Sequence, residues 1–73
     1  MSAYSSLNTL IQSKIQILKE EPCLEKMEAN SLIHYKKATI DTAMQKIIAE
    51  NPDYDIRYIA EINCVNLVIQ PRK

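Results

Sequence analysis

The side chains that could do chemistry are few, and their spacing assembles no site. His34, Cys23 and Cys64, with Asp41 as a fourth ligand, could hold zinc only if the fold brought them together. The sequence has no CxxC pair and no histidine at zinc-ligand spacing. A Cys–His nucleophilic pair meets the same difficulty, because no local feature brings the two groups together. We therefore predict no catalytic residue, no metal and no cofactor, and we expect no enzyme activity.

The acidic residues have structural explanations. Asp53 and Asp55 follow Asn51-Pro52, which is typical of a helix start, and negative charge there is stabilised by the helix dipole. A second acidic group surrounds the first predicted connection and fits a solvated turn: Glu20, Glu21, Glu25 and Glu28. Neither group indicates catalysis.

The sequence contains no glycine. Phosphate-cradling loops and dinucleotide fingerprints both need glycines, because the backbone must come close to the phosphate. This absence excludes a nucleotide-binding domain of either kind.

Positive charge is balanced rather than concentrated. Nine basic and nine acidic residues give zero net charge, which argues against a general polyanion binder. A nucleic-acid-binding regulator is nevertheless the alternative function, with contacts from Lys26, Lys36, Lys37, Lys46 and Arg57. A helix-turn-helix over residues 43–68 fits poorly, because it lacks a turn glycine and Pro71 would shorten the recognition helix.

The length of 73 residues predicts one small domain, 1–73, with a thin core. No basic segment followed by an apolar stretch opens the chain, and no apolar run is long enough to span a membrane. We expect a cytoplasmic protein with both cysteines reduced and buried as small apolar side chains.

A first helix is predicted over about 4–20, capped by Ser5 or Ser6 and ended by Pro22. Its apolar side chains recur at helical spacing and fall on one face. They are Tyr4, Leu7, Leu10, Ile11, Ile15, Ile17 and Leu18.

A second helix is predicted over about 23–50, with apolar side chains on two opposite faces. One face is a broad stripe that ends at Ile47 and Ile48. The opposite face is weaker and consists of Leu24, Met27, Ser31, Tyr35, Ala38 and Thr42. If this helix is interrupted, Asn30-Ser31 is the expected place, since Asn can end a helix and Ser can cap the next one.

The segment 53–70 has two interpretations. Period-two alternation from Tyr54 to Cys64 favours a strand, whereas Ile56, Ile59 and Ala60 also fit a short helix. The stretch from Cys64 to Gln70 is rich in β-branched residues and reads as extended.

The predicted fold is mainly α: a helical hairpin of 4–20 and 23–50, followed by either a short third helix with an extended tail or a small β element, the second case making the fold α+β. Because the central helix would expose a second apolar face, we predict a non-enzymatic interaction or regulatory protein, either a homodimer or bound to a larger protein. Tyr35 and Tyr58 are the preferred anchors. The full set of predicted contact residues is Leu24, Met27, Tyr35, Ala38, Thr42, Tyr58, Val65, Leu67 and Ile69.

Overall fold

A computed structural model describes residues 2–72, so residues 1 and 73 of the predicted domain lie outside the described range. The chain folds as α1 Ala3–Glu20, β1 Met27–Leu32, α2 Lys37–Glu50, β2 Tyr54–Ala60 and β3 Cys64–Pro71. This is an α+β fold with two helices and one antiparallel sheet in the order β1-β3-β2. The prediction of a mainly α fold is therefore wrong.

Helix α1 agrees with its prediction except at the cap. Ser2, rather than Ser5 or Ser6, is the N-cap, and its hydroxyl accepts a hydrogen bond from the Ser5 amide at 3.1 Å. The helix ends before Pro22, which cannot continue a helical hydrogen-bond ladder. The buried face of α1 is Ala3, Leu7, Ile11, Ile15 and Leu18.

The predicted helix over 23–50 is wrong in its first half. Residues 27–32 form β1, whose burial alternates strictly, and only Lys37–Glu50 is helical. Glu28, Ala29 and Met27 have good helix propensity, but pairing with β3 outweighs it. Helix α2 begins only after the loop 33–36. Asn30 and Ser31, the expected place of a break between two helices, both lie inside β1. No central rod with two apolar flanks exists among the described residues.

The period-two interpretation of residues 54–64 is the one that agrees with the structure. Strands β2 and β3 form a hairpin closed by the Glu61 amide, which donates to the Cys64 carbonyl at 2.8 Å. The register sets Ile56 opposite Ile69, Tyr58 opposite Leu67 and Ala60 opposite Val65. Asn51-Pro52-Asp53, predicted to start a helix, instead forms the turn between α2 and β2.

Both helices cover the same face of the sheet, with α1 against β1 and β3 and α2 against β2. A single cluster of buried apolar side chains fills the space between the layers. The central strand β3 contributes Val65, Leu67 and Ile69, each almost fully buried. Within residues 2–72 no helix lies on the other face of the sheet, and we call it the open face.

Candidate interaction surface

The open face carries the alternate side chains of all three strands. On β3 these are Cys64, Asn66, Val68 and Gln70, because their neighbours Val65, Leu67 and Ile69 point into the core. The antiparallel register then places the remaining residues on the same face: Glu28, Asn30 and Leu32 from β1, and Asp55, Arg57 and Ile59 from β2. At the centre, the Asn30 side-chain amide donates a hydrogen bond from Nδ2 to the side-chain oxygen Oδ1 of Asn66.

One end of this face is apolar. Leu32 is 76% exposed and Ile59 is 65% exposed, and Cys64 lies between their strands. Ile62, in the adjoining turn between β2 and β3, is 89% exposed. We call Leu32, Ile59, Ile62 and Cys64 the apolar end. Of these, Leu32, Ile59 and Ile62 are the large hydrophobic side chains that are exposed in the part of the chain that the structure describes.

The opposite end of the open face is charged. Arg57 forms an ion pair with Asp55, with Nε 3.3 Å from Oδ2, and Lys26 pairs with Glu28 at 3.3 Å. All four side chains are at least one-third exposed, so water screens these pairs and each contributes little to folding. The face therefore changes from aliphatic to ionic along the strands.

The cysteines and the histidine do not form a site. Cys23 lies in the loop after α1, beside Pro71 and Arg72, whereas Cys64 begins β3. The seven residue steps of β3 separate those two ends by about 23 Å. Both thiols are free, but Cys23 is exposed and Cys64 half-buried, so the prediction that both are buried is wrong. The described residues hold no cluster of three or more potential metal ligands.

Cys64 has an acidic neighbour. Its thiol donates to the Glu61 carboxylate at 3.5 Å, and burial together with that carboxylate raises the thiol pKa. A raised pKa leaves little thiolate at neutral pH, and the thiolate is the nucleophilic form. The position of Cys64 in the apolar end is that of a small apolar side chain rather than of a nucleophile.

Asp41 has a structural role instead of the metal-binding one considered above. Its carboxylate accepts from the Tyr58 hydroxyl at 2.8 Å and from Lys37 Nζ at 3.1 Å. These two donors hold the pKa of Asp41 below its usual value. Burial and the bond to Asp41 raise the pKa of Tyr58. The network ties β2 to α2.

The predicted contact residues do not share one surface. Val65, Leu67 and Ile69 lie in the core of this chain and are closed to a partner. Ala38 and Thr42 are exposed on α2. The remaining four are half-buried against the core: Leu24, Met27, Tyr35 and Tyr58.

The predicted nucleic-acid contacts are also dispersed. Lys26, Lys37 and Arg57 are engaged in ion pairs with Glu28, Asp41 and Asp55. Lys46 lies over the Tyr4 ring, 4.4 Å from its centroid, and Lys36 precedes α2 as its N-cap residue. They come from both edges of the sheet and from α2, so they form no common basic patch.

A wide groove of about 1000 Å³ lies between the loop after α1 and the ends of β2 and β3. Its polar lining includes Glu25, Asp55, Gln70 and Arg72, with Cys23 at one side. His34 is not among its lining residues, so the groove does not bring a histidine to the Cys23 thiol. The groove has no arrangement that indicates catalysis.

Sequence reasoning missed the open face as a whole. The segment Met27–Leu32 carries only a weak trace of it, because the apolar–polar alternation of residues 27–30 is reversed at Ser31 and Leu32. Leu32 and Ile59 were not predicted as contacts, because each occupies the outward position of a strand whose pairing was unknown.

Within residues 2–72, neither α1 nor α2 combines the length and the apolar composition that a membrane-spanning helix needs. Comparison with known proteins finds no matching family model, no matching curated protein and no matching solved structure.

Proposed function

We propose that this chain is a non-enzymatic interaction protein that binds another protein through the open face of its sheet, with the apolar end as the main contact. The observation that carries the proposal is the exposure of Leu32, Ile59 and Ile62 at one end of an uncovered sheet. Exposed apolar side chains that cluster rather than scatter are typical of a binding surface. The interaction function predicted from sequence is kept, but its surface is a sheet and not a helix.

The free energy available from burying the apolar end fits a modest binding affinity. Burying an aliphatic side chain of this size contributes about 1.5 to 3 kcal/mol, so the three together contribute roughly 5 to 9 kcal/mol. Association costs at least about 4 kcal/mol. The apolar end alone is therefore too weak for nanomolar binding, which needs about 12 kcal/mol. The Asn30–Asn66 pair and the charged end would have to supply the remaining contacts and the specificity.

The experiment compares two double variants of the immobilised protein. Leu32→Ser with Ile62→Ser removes two of the three exposed aliphatic side chains of the apolar end and leaves the core intact, because both side chains are largely exposed. Proteins retained from an extract of the cells that express the chain are quantified by mass spectrometry. A true partner is retained by the wild type and falls at least about tenfold with this variant, the consequence of losing about 1.4 kcal/mol.

The matched control is Ala38→Ser with Thr42→Ser on the exposed side of α2, which should retain the same proteins as the wild type. If both double variants lose retention equally, or neither does, the open face is not the binding surface. Circular dichroism of each variant verifies that the fold is kept.

Nucleic-acid binding, the alternative function, has no support from the placement of the basic residues, three of which are already paired with acids. A titration with duplex and single-stranded DNA at low salt tests it directly, since phosphate contacts are strongest there.

We propose a cytoplasmic location, supported by two free thiols at opposite ends of β3 that cannot form a disulfide with each other.

A further inference from the structure

The outer edge of β2 presents backbone groups that the chain itself does not pair. Arg72 N donates to the Asp53 carbonyl at 2.9 Å, and Glu61 N donates to the Cys64 carbonyl at 2.8 Å. These bonds mark the odd-numbered residues of this segment as the ones that face β3. The amides and carbonyls of Ile56, Tyr58 and Ala60 must then point away from β3, where the described chain has no further strand.

Helix α2 leaves this edge uncovered. Glu50 accepts from the Tyr4 hydroxyl of α1 at 2.5 Å, and Asp41 accepts from the Tyr58 hydroxyl of β2 at 2.8 Å. Glu50 and Asp41 are nine residues apart, which at about 100° per residue puts them on opposite sides of α2. Strand β2 therefore runs along the side of α2 away from α1, and its outer edge forms the margin of the molecule.

Residues 54–58 of β2 are complementary to the same residues of a second copy that runs antiparallel to them. Tyr54-Asp55-Ile56-Arg57-Tyr58 has an aromatic residue at each end, opposite charges next to the centre and Ile56 in the middle. Antiparallel pairing of two such strands about Ile56 places Asp55 of each copy opposite Arg57 of the other. It also places Tyr54 of each copy opposite Tyr58 of the other.

We propose that a second copy of this chain binds along β2, antiparallel and centred on Ile56, so that the two sheets become one sheet of six strands. The hydrogen-bond phase agrees with this register, because the outward amide and carbonyl of Ile56 meet those of Ile56 in the second copy, and the outward amide of Tyr58 meets the carbonyl of Tyr54. The Tyr54 amide takes no part, since it already donates to the Asn51 carbonyl at 3.2 Å. The Asp55–Arg57 pairs then occupy positions without hydrogen bonds, where the facing side chains are closest.

The other edge offers a poorer match. Ile33 N donates to the Asn63 carbonyl at 2.9 Å, so Glu28, Asn30 and Leu32 point their backbone groups outward from β1. Pairing of β1 with itself about Asn30 sets Glu28 opposite Leu32 of the second copy, and no opposite charges meet. Charge complementarity therefore selects β2.

The pairing goes beyond the proposed function, because it uses the outer edge of β2 and not the apolar end. Ile56 is only 5% exposed, since its side chain lies in the core, so little apolar area is buried at the centre of the contact. Small interfaces of this kind belong to the weak class. We expect a dimer dissociation constant on the order of 100 µM.

The test is a charge exchange between two variants. In Asp55→Arg, both facing pairs become Arg opposite Arg, and in Arg57→Asp both become Asp opposite Asp. Each variant alone should dimerise at least about tenfold more weakly than the wild type in sedimentation equilibrium. An equimolar mixture should recover dimerisation, because every facing pair in the mixed dimer is of opposite sign.

The ion pair within each chain is lost in both variants, so recovery in the mixture can only come from contacts between chains. If a reversal disturbs the fold by circular dichroism, Asp55→Asn and Arg57→Gln replace it, with a smaller loss expected. A wild type that stays monomeric at about 1 mM, or a mixture no tighter than its components, overturns the proposal.

Amide chemical shifts locate the contact independently. Concentration-dependent shifts at Ile56 and Tyr58 support pairing along β2, whereas shifts confined to residues 28–32 contradict it. Leu32→Ser with Ile62→Ser should leave the dimer unchanged. Loss of the dimer and loss of partner binding are therefore separate results, and either proposal can fail while the other stands.

Discussion

The two faces of the sheet are made by the same three strands, yet the side chains of one face are largely buried and those of the other are largely exposed. Ile56 and Ile59 are the same residue type in the same strand, and they are 5% and 65% exposed. Along β3, Val65, Leu67 and Ile69 are buried, while Asn66 and Gln70 between and beyond them are exposed. The difference comes from the two helices, which lie on one face only. The covered face supplies stability, and the open face is left for contacts outside the chain.

The largest effect should come from truncating one isoleucine on each face. Ile56→Ala leaves a cavity in the core and should lower the free energy of unfolding by about 3 kcal/mol. Ile59→Ala removes the same atoms from a side chain that is already mostly in water, so we expect a loss below about 0.5 kcal/mol. Urea denaturation of both variants measures the contrast.

Similar losses at the two positions would contradict this division of roles and would mean that the open face is covered in solution. Repeating the measurement at low protein concentration separates the cases, because a second copy would stabilise only at high concentration.

A loss of stability of intermediate size is expected from the hydrogen bond between Tyr58 of β2 and Asp41 of α2. Tyr58→Phe removes the hydroxyl that donates to Asp41 but keeps the ring, and it should lower the free energy of unfolding by about 1 kcal/mol. The matched control is Tyr54→Phe in the same strand, whose hydroxyl has no hydrogen bond among the described residues. Its loss should stay below about 0.5 kcal/mol. Equal losses in urea denaturation would show that the bond to Asp41 adds nothing.

The contrast between the faces also explains how far sequence reasoning could go. Helix α1 could be predicted because its apolar residues recur over five turns and Pro22 ends them. All of that information is local. The hairpin of β2 and β3 left a local trace in its period-two alternation, but the same letters also fitted a helical stripe.

Strand β1 could not be predicted in this way. Met27, Ser31 and Tyr35 are spaced by four, and a spacing of four satisfies both a helix and a strand. The absence of glycine and of an internal proline over 23–50 then favoured a single helix. What decides the case is the pairing of β1 with β3, whose partner residues lie from 32 (Leu32 with Cys64) to 42 (Met27 with Ile69) positions further along the chain, and no local pattern contains that pairing.

The candidate surface was missed for the same reason. An exposed Leu32 or Ile59 is distinguished from a buried one only by which face of the sheet the helices cover. Val65, Leu67 and Ile69 were predicted as contacts on their apolar character, but the central position of β3 buries them. Composition identified surplus apolar residues, and topology determined which of them stay in water.

The smallest effect is a pH dependence of the Tyr58–Asp41 bond. The pKa of Asp41 is lower in the folded chain, first because Tyr58 donates to its carboxylate and second because Lys37 does. A lowered pKa means that this stability is present above the unfolded pKa of Asp41 and is lost as the pH falls through the folded value. The difference in unfolding free energy between wild type and Tyr58→Phe should therefore shrink as the pH falls below the usual Asp pKa of about 3.9.

An NMR titration of the Asp41 carboxyl provides the direct measurement. The pKa should rise in Tyr58→Phe and rise by less in Lys37→Met, because the hydroxyl bond is the larger of the two causes. Lys37 is mostly exposed, so water already weakens its contribution. The opposite order would make Lys37, on the surface of α2, the main partner of Asp41, and the Tyr58 hydroxyl the lesser one.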